Sequence, residues 1–211
     1  LTHVSNFINT HTHADHLYPE ELYNYAKGFA NLPEGHPPYH FWGGQEMVEK
    51  LIPFVNVERM ENRLHTHLIE LFTPTKIADY TVTALPANHG TQDPRFYIIE
   101  KDGKTLLYVQ DSGEFKQEVW DYLKRERPYF NLASFDCTFG SIASKPGSSH
   151  MGLINILDTV NQLESIGCMD ENTLRVVNHF SHNVPNVNYE DRSVYEEKGF
   201  LMSYDGMVVE F

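Results

Sequence analysis

Short apolar runs alternate along the chain with segments in which apolar residues recur at helical spacing. Leu153, Ile156, Val160 and Leu163 follow the helical period and predict an amphipathic helix over residues 152–166. Runs of four to nine residues rich in β-branched and aromatic side chains predict strands, each followed within two residues by Pro, Asp or Asn. The alternation of the two patterns indicates a mixed α/β fold, and a two-sheet sandwich with helices outside accommodates it.

The same patterns define the other elements and the loops between them. The predicted strands cover residues 4–8, 64–72, 81–85, 96–100, 105–109, 132–135 and 174–177. The predicted helices cover 17–29, 45–51, 114–124 and 152–166, with a short helix in 187–197. Asp102-Gly103 predicts a hairpin turn, and Asp205-Gly206 predicts another within residues 200–211. Residues 31–44, rich in Pro, Gly and aromatic side chains, are interpreted as an ordered loop or lid.

Composition narrows the class of protein and its partners. The 211 residues, 41% hydrophobic and 21% charged, predict a single globular domain spanning residues 1–211. A net charge of -13 disfavours nucleic acid as a partner but allows a small anionic substrate beside bound cations. No apolar run is long enough for a bilayer, and no signal peptide is visible. With only Cys137 and Cys168, a reducing cytoplasm is the expected location, no membrane partner is expected, and a homodimer is compatible with the sequence.

The run His11-Thr12-His13-Ala14-Asp15-His16 carries the strongest chemical signal. Three imidazoles and a carboxylate fall within six residues, at a junction between a predicted strand and a predicted helix. Alternate side chains of such a loop can face two neighbouring ions. His11 and His13 would face one ion, while Asp15 and His16 would face a second. Mixed imidazole and carboxylate ligation suits Zn, Mn or Fe(II).

Further metal-type side chains follow later strands in the same way. His89, Asp111 and His179 each stand directly after an apolar run, where loops carry function on a rigid scaffold. Taken singly, His89 could be a turn histidine, Asp111 a turn carboxylate and His179 a helix-cap partner. Their order after the first motif favours one shared metal centre.

This motif set resembles the metallo-β-lactamase family of hydrolases. The resemblance implies an α/β fold, an αββα sandwich of two mixed sheets, and two divalent metal ions, Zn or Mn with Fe as a further option. It implies the following ligands: His11, His13 and His89 for the first ion, Asp15, His16 and His179 for the second, and Asp111 bridging both. In this family several N-terminal strands precede the metal loop, so we expect this sequence to lack the first of them and to be part of a longer protein. That missing part would include any structural zinc site.

The C-terminal half resembles the phosphodiesterase branch, in particular the cyclic-phosphate phosphodiesterases of phosphonate (carbon–phosphorus lyase) operons. The resemblance rests on Leu1-Thr2-His3-Val4, on residues 145–152, on residues 178–183 and on residues 199–207. It implies that His150 lies near the substrate phosphate and protonates the leaving oxygen. Asp136 is a candidate to orient His150, and the alternative for Asp136 is to support a metal-bound histidine.

The resulting hypothesis is a dinuclear metal-dependent hydrolase. A hydroxide shared by two metals would attack phosphorus of a small phosphate ester, such as a cyclic ribose phosphate. The predicted catalytic residues are Asp15, His150 and Asp136, and Ser149 and His182 are candidate substrate contacts. The alternatives are a hydrolase of the same fold acting on a thioester, lactone or lactam, a tRNase Z-like nuclease, and a non-catalytic metal-binding module.

A second H-x-H tripeptide, His65-Thr66-His67, lacks the x-D-H continuation of the metal motif. On a strand both imidazoles would share one face. We interpret them as ordinary strand histidines, with a pocket or an adventitious metal as the alternative.

Overall fold

Two β-sheets packed face to face form the centre of the protein, in a computed structural model that describes residues 4–211. The strands are β1 (Asn6–Ile8), β2 (Tyr39–Gly43), β3 (Leu64–Leu68), β4 (Thr75–Ile77), β5 (Tyr80–Pro86), β6 (Arg95–Lys101), β7 (Lys104–Tyr108), β8 (Leu132–Asp136), β9 (Leu174–Asn178) and β10 (Leu201–Met202). The helices are α1 (Gln45–Val55), α2 (Gln117–Glu126), α3 (Leu153–Ser165) and α4 (Ser193–Glu196), with 3₁₀ helices at Pro19–Tyr25, Glu58–Met60 and Tyr189–Asp191. Leu1-Thr2-His3, part of the resemblance above, lies outside the described residues.

The two sheets differ in strand direction. The smaller sheet has the order β1-β2-β3 and is parallel throughout. The larger has the order β10-β9-β8-β7-β6-β5-β4, antiparallel from β4 to β7 and parallel from β7 to β10. The hairpin predicted at Asp102-Gly103 joins β6 to β7. The C-terminal ends of β7, β8 and β9 therefore lie at the same end of the larger sheet, and the loops that follow these strands begin there.

Alternation of side chains along the strands builds the expected αββα layers. In β6, Phe96 and Ile98 face α2 and α3 in the largest hydrophobic cluster. Tyr97 faces the smaller sheet, as Val82 of β5 does, and both share a cluster with Trp42 of β2. A further cluster packs the outer face of the smaller sheet against α1 and the 3₁₀ helix Pro19–Tyr25. Each sheet is thus covered by helices on its outer face.

Two segments differ from their prediction near the first motif. Residues 31–44 contain strand β2, because Tyr39 and Phe41 alternate with less buried neighbours and pair with β3, so a loop precedes the strand only up to residue 38. The predicted helix over 17–29 is a 3₁₀ helix at Pro19–Tyr25. It ends at Ala26, whose backbone is extended, and Gly28 follows in the left-handed region at φ 91°.

Two predicted β-segments were also wrong in part. The strand over 64–72 ends at Leu68, because the chain then crosses to the larger sheet, where Leu71 bridges to Ala84. The terminal hairpin is absent from the described residues. A turn does form at Asp205-Gly206, but β10 pairs in parallel with β9 and no strand returns along it.

Two further predictions concern cysteines and membranes. Cys137 and Cys168 are both buried and unpaired. Burial raises the pKa of the Cys137 thiol, which opposes a nucleophilic role. Within residues 4–211, no helix is both long and apolar enough to span a bilayer.

Candidate metal centre

The loop of residues 9–16, here called the metal loop, follows β1 and is held from two sides. The Tyr97 hydroxyl, on the larger sheet, donates to the Asn9 carbonyl at 2.5 Å. The Lys50 ammonium, on α1, donates to the Thr12 carbonyl at 2.5 Å. These contacts fix the loop backbone against both the sheet and the helix, so its side chains are presented in one arrangement.

A first group of imidazoles gathers His11, His13 and His89. His13 Nδ1 lies 3.0 Å from His11 Nε2 and 3.0 Å from His89 Nε2. The Ser149 carbonyl can only accept a hydrogen bond, so His89 donates to it through Nδ1 at 3.1 Å. In neutral His89 the lone pair is therefore on Nε2, directed toward the other two rings. Nitrogens about 3 Å apart are spaced as ligands of one ion with bonds of roughly 2.1 Å.

Asp111 is the buried carboxylate at the centre of the cluster. Its Oδ2 lies 3.6 Å from His11 Nε2, 3.4 Å from His16 Nε2 and 3.5 Å from His89 Nε2. Its Oδ1 lies 3.0 Å from His179 Nε2, yet this buried oxygen accepts no hydrogen bond from the described residues. A buried carboxylate oxygen without a donor, surrounded by imidazole nitrogens, fits a divalent cation.

A second group joins Asp15, His16 and His179, and Asp111 contacts it through Oδ2 at His16 and through Oδ1 at His179. His16 Nε2 lies 3.4 Å from Asp15 Oδ2, and the rings of His16 and His179 are 5.9 Å apart. Asp15 is 73% exposed, in contrast to Asp111 at 4%. The seven side chains predicted as ligands therefore lie in two groups that meet at one carboxylate.

The protonation of the cluster is set by burial and by neighbouring charges. Burial, together with His16, lowers the pKa of His11 to about 3, and burial also lowers the pKa of His89. Burial opposes ionisation of Asp111, but contacts with His16 and His179 outweigh it and hold the pKa of this carboxyl below its usual range. The carboxylates of Asp111 and Asp136 raise the pKa of His179 to about 10 in the metal-free protein. Neutral imidazoles and an ionised carboxylate are the forms that bind metals.

Asp136 lies behind the cluster at the end of β8 and is fully buried. Its Oδ2 accepts from His150 Nδ1 at 2.7 Å and from the Ser112 amide at 2.9 Å. Burial alone would raise the pKa of Asp136. Hydrogen bonds from His150 and His179 outweigh this effect, so the pKa of the carboxyl lies below its usual value. An ionised Asp136 holds the proton of His150 on Nδ1, so Nε2 is the nitrogen left for other partners.

Thr138 is a site residue that the sequence analysis missed. Its Oγ1 lies 2.6 Å from Asp136 Oδ1, 2.7 Å from His179 Nδ1 and 3.1 Å from His150 Nδ1. The hydroxyl has one proton, which the carboxylate must receive, so His179 donates its Nδ1 proton to the Thr138 oxygen. In the neutral ring, the form that binds a metal, the lone pair of His179 is therefore on Nε2, which lies 3.0 Å from Asp111 Oδ1. Thr138 thus connects Asp136 to a candidate ligand and fixes its tautomer.

We expect Thr138→Val, which keeps the shape and removes the hydroxyl, to weaken metal binding by about 10- to 100-fold. The reason is that Asp136 Oδ1 and His179 Nδ1 both lose a partner. Competition with a chromophoric chelator would measure the affinity. Thr138→Ser retains the hydroxyl and should bind like wild type, and equal affinity in the valine and serine variants would contradict the assignment.

The structure places the remaining candidates less centrally. Ser149 contributes its backbone carbonyl to His89, whereas the side chain of His182 is exposed. Asp136 and His150 also lie close enough to Asp111 and His179 to form a metal-binding group of their own. His150 has therefore two possible roles, as a ligand or as a proton donor beside the metal centre.

An αββα sandwich with a histidine and aspartate cluster at the strand ends defines a metallo-β-lactamase-type protein. The chain belongs to the β-lactamase superfamily, because a family model described as "Beta-lactamase superfamily domain" matches residues 1–174. A comparison with curated proteins found no match.

Solved structures of the same fold match almost the whole chain. A metallo-β-lactamase fold protein, YhfI from Bacillus subtilis, is 15% identical with a TM-score of 0.70, covering 98% of this chain and 78% of its own. Zn(2+)-bound PqqB from Methylobacterium extorquens is 18% identical with a TM-score of 0.67, covering 98% and 71%. A diphosphatase from the PhnP family is 16% identical with a TM-score of 0.65, covering 96% and 69%. At these identities the likeness establishes the fold.

Proposed function

We propose that the protein is a dinuclear metal-dependent hydrolase, and specifically a phosphodiesterase acting on a small phosphate ester. The observation that carries the proposal is the position of Asp111 between two groups of imidazoles. A single carboxylate within 3.6 Å of four imidazole nitrogens is arranged to bridge two cations.

The proposed ligands follow from the two groups. The first ion would be held by His11, His13 and His89, the second by Asp15, His16 and His179, and Asp111 would contact both. Imidazole and carboxylate donors suit Zn and Mn, and Fe(II) is a further option. One structural neighbour is described as Zn(2+)-bound, which supports zinc as the first metal to test.

Two bound divalent ions would lower the pKa of a shared water and neutralise negative charge on the substrate. His150 is the proposed proton donor to the departing oxygen. Asp136 holds the Nδ1 proton of His150, so a proton on Nε2 is available for transfer. The buried carboxylate stabilises the doubly protonated ring that precedes transfer, and Asp136 therefore orients and stabilises the acid.

Phosphate is favoured over other substrates by the combination of this acid with a cation-rich centre. A phosphodiester presents charged oxygens to the metals and releases an alkoxide that needs a proton. A structural neighbour described as a PhnP-family diphosphatase supports the same substrate class. The same ligands would serve a thioester, lactone or lactam hydrolase, and contact of His182 with substrate stays a prediction.

The direct test is hydrolysis of bis(p-nitrophenyl) phosphate by protein reconstituted with Mn or Zn. We expect turnover that requires added metal and disappears in Asp111→Ala. Turnover of thioester or lactone substrates alone, with about two metals bound, would replace the phosphodiesterase proposal by the alternative hydrolase. Failure to hydrolyse any ester while fully metallated would favour a non-catalytic metal-binding module.

Removal of metal should lower the thermal stability of the protein. At a free metal concentration 1,000-fold above Kd, binding to the folded state contributes about 4 kcal/mol, which corresponds to a fall in Tm of roughly 10 °C on chelation. Differential scanning fluorimetry with and without EDTA, followed by re-addition of Zn, measures the effect. A Tm that does not respond to EDTA in a protein shown to have lost its metal would contradict a ligand role for the cluster.

A further inference from the structure

Three histidines lie together on the smaller sheet, on strands that carry none of the ligands proposed above. His40 is on β2, and His65 and His67 are on β3. The parallel register pairs His40 with His65 and Trp42 with His67, so these four side chains share one face of the sheet. Tyr39, Phe41 and Leu64 occupy the opposite face in the cluster against α1. From the sequence, His65 and His67 are interpreted as ordinary strand histidines, and their proximity to His40 of β2 is visible only in the structure.

Two nitrogens of the histidine trio, as we call His40, His65 and His67, approach each other as closely as metal ligands do. His40 Nδ1 lies 2.8 Å from His67 Nε2. The His40 ring lies between the other two, with its centroid 5.1 Å from that of His67 and 5.4 Å from that of His65. His65 is exposed, so its side chain has room to rotate toward the pair.

A neighbouring tryptophan fixes the orientation of the pair. The indole of Trp42 stacks on His67 with centroids 4.0 Å apart and planes inclined by 18°. Its Nε1 donates to Asn6 Oδ1 at 2.9 Å, which anchors the indole to β1. A ring that is stacked on an anchored neighbour loses little further freedom on binding an ion.

The local charge state also favours binding. Burial, followed by the neighbouring imidazoles, lowers the pKa of both His40 and His67. Both rings are therefore neutral at neutral pH, and a neutral imidazole has one nitrogen lone pair that can bind a metal. No acid competes for these nitrogens in a described ion pair, unlike His150 and His179 at the metal centre.

We propose that the histidine trio is a second, separate metal site, which takes a Ni(II) or Cu(II) ion. Imidazole nitrogens suit Ni(II) and Cu(II), and two such ligands of one ion with bonds of about 2.0 Å can lie about 3 Å apart. The 2.8 Å between His40 Nδ1 and His67 Nε2 is close to this spacing. His65 would supply the third imidazole after its exposed side chain rotates toward the pair, and water would fill the remaining coordination positions. The alternative is a simple N–H···N hydrogen bond between the two rings.

Trp42 provides a direct signal for occupancy of this site. The second tryptophan, Trp120, lies on α2 and packs against the largest hydrophobic cluster, and its signal is removed by Trp120→Phe. The protein is first loaded with Zn to fill the main metal centre, and NiCl2 is then titrated while Trp42 emission and bound zinc are measured. We expect saturable quenching at about one Ni per chain with zinc retained, because a paramagnetic ion would lie beside the indole.

Matched variants separate the trio from other histidines. In the Trp120→Phe background, His40→Gln and His67→Gln should each weaken Ni binding by at least about tenfold, and His65→Gln should have a smaller effect. His36→Gln, on the loop before β2, is the control and should bind Ni like its parent. Replacement of exposed His65 should disturb folding least. Circular dichroism checks that the His40→Gln and His67→Gln variants are folded.

Two results would overturn the proposal. Quenching of equal strength in His40→Gln and His67→Gln would mean that Ni binds adventitiously and that the pair is only hydrogen bonded. Quenching that appears only as zinc leaves the protein would place Ni in the main metal centre.

Discussion

Replacing Asp111 by asparagine is expected to reduce metal-dependent hydrolysis by about a thousandfold or more, because a bridging carboxylate contributes several kcal/mol of charge stabilisation. The change removes one negative charge from beside four imidazoles and leaves the size of the side chain unaltered. Asp111 has φ 47°, a left-handed conformation that asparagine also adopts readily. The loss should therefore come from the charge and not from the backbone.

Metal content and turnover together test this expectation. Elemental analysis should find fewer than about two ions bound to Asp111→Asn, since the shared ligand is gone. Asp102→Asn is the matched control, because Asp102 has φ 50° and is exposed in the turn between β6 and β7. Full metal occupancy with near-normal turnover in Asp111→Asn would remove the bridging role.

Replacing His150 by glutamine should slow release of a poor leaving group by about 100- to 10,000-fold, the range for loss of a general acid. With a p-nitrophenolate leaving group the loss should be much smaller, because that oxygen departs without a proton. Metal content should stay unchanged. This pattern separates a proton donor from a ligand, which the proximity of His150 to Asp111 and His179 leaves as the rival role.

The comparison needs two substrates of different leaving-group basicity and one control. An alkyl phosphodiester and bis(p-nitrophenyl) phosphate are measured with wild type, His150→Gln and His36→Gln. Asp136→Asn should share the leaving-group dependence of His150→Gln, because Asp136 acts through that ring. Equal losses on both substrates, together with loss of metal, would assign His150 as a ligand.

Much of the fold follows from local patterns in the sequence. The strands β5 to β9 and the helices α1 and α3 were predicted within a few residues, because each has clear periodicity and a turn residue at its end. Strand β2 was missed because Pro and Gly before it suggested a loop throughout, although Tyr39 and Phe41 already alternate with polar or amphipathic neighbours. The parallel pairing of β10 with β9 depends on contacts distant in sequence, which a local turn signal at Asp205-Gly206 does not contain.

The residues of the candidate site were also predictable from the sequence only in part. His11, His13, Asp15 and His16 form a recognisable motif, and the structure brings His89, Asp111 and His179 to it from distant strands. Thr138 could not be recognised, because threonine is common after a strand and its partners are only adjacent in space. Its one sequence signal is its position two residues after Asp136. The role of Ser149 was also hidden, since its backbone carbonyl makes the contact to His89.

The metal loop follows a strand of the smaller sheet, whereas His89, Asp111 and His179 follow strands of the larger sheet. An ion held by both sets would therefore join the two sheets as a cross-link between distant parts of the chain. Such a link makes separation of the layers at this edge part of global unfolding instead of a local opening. Metal supply would then control the exposure of the sandwich edge to proteases, and so the lifetime of the protein as well as its chemistry.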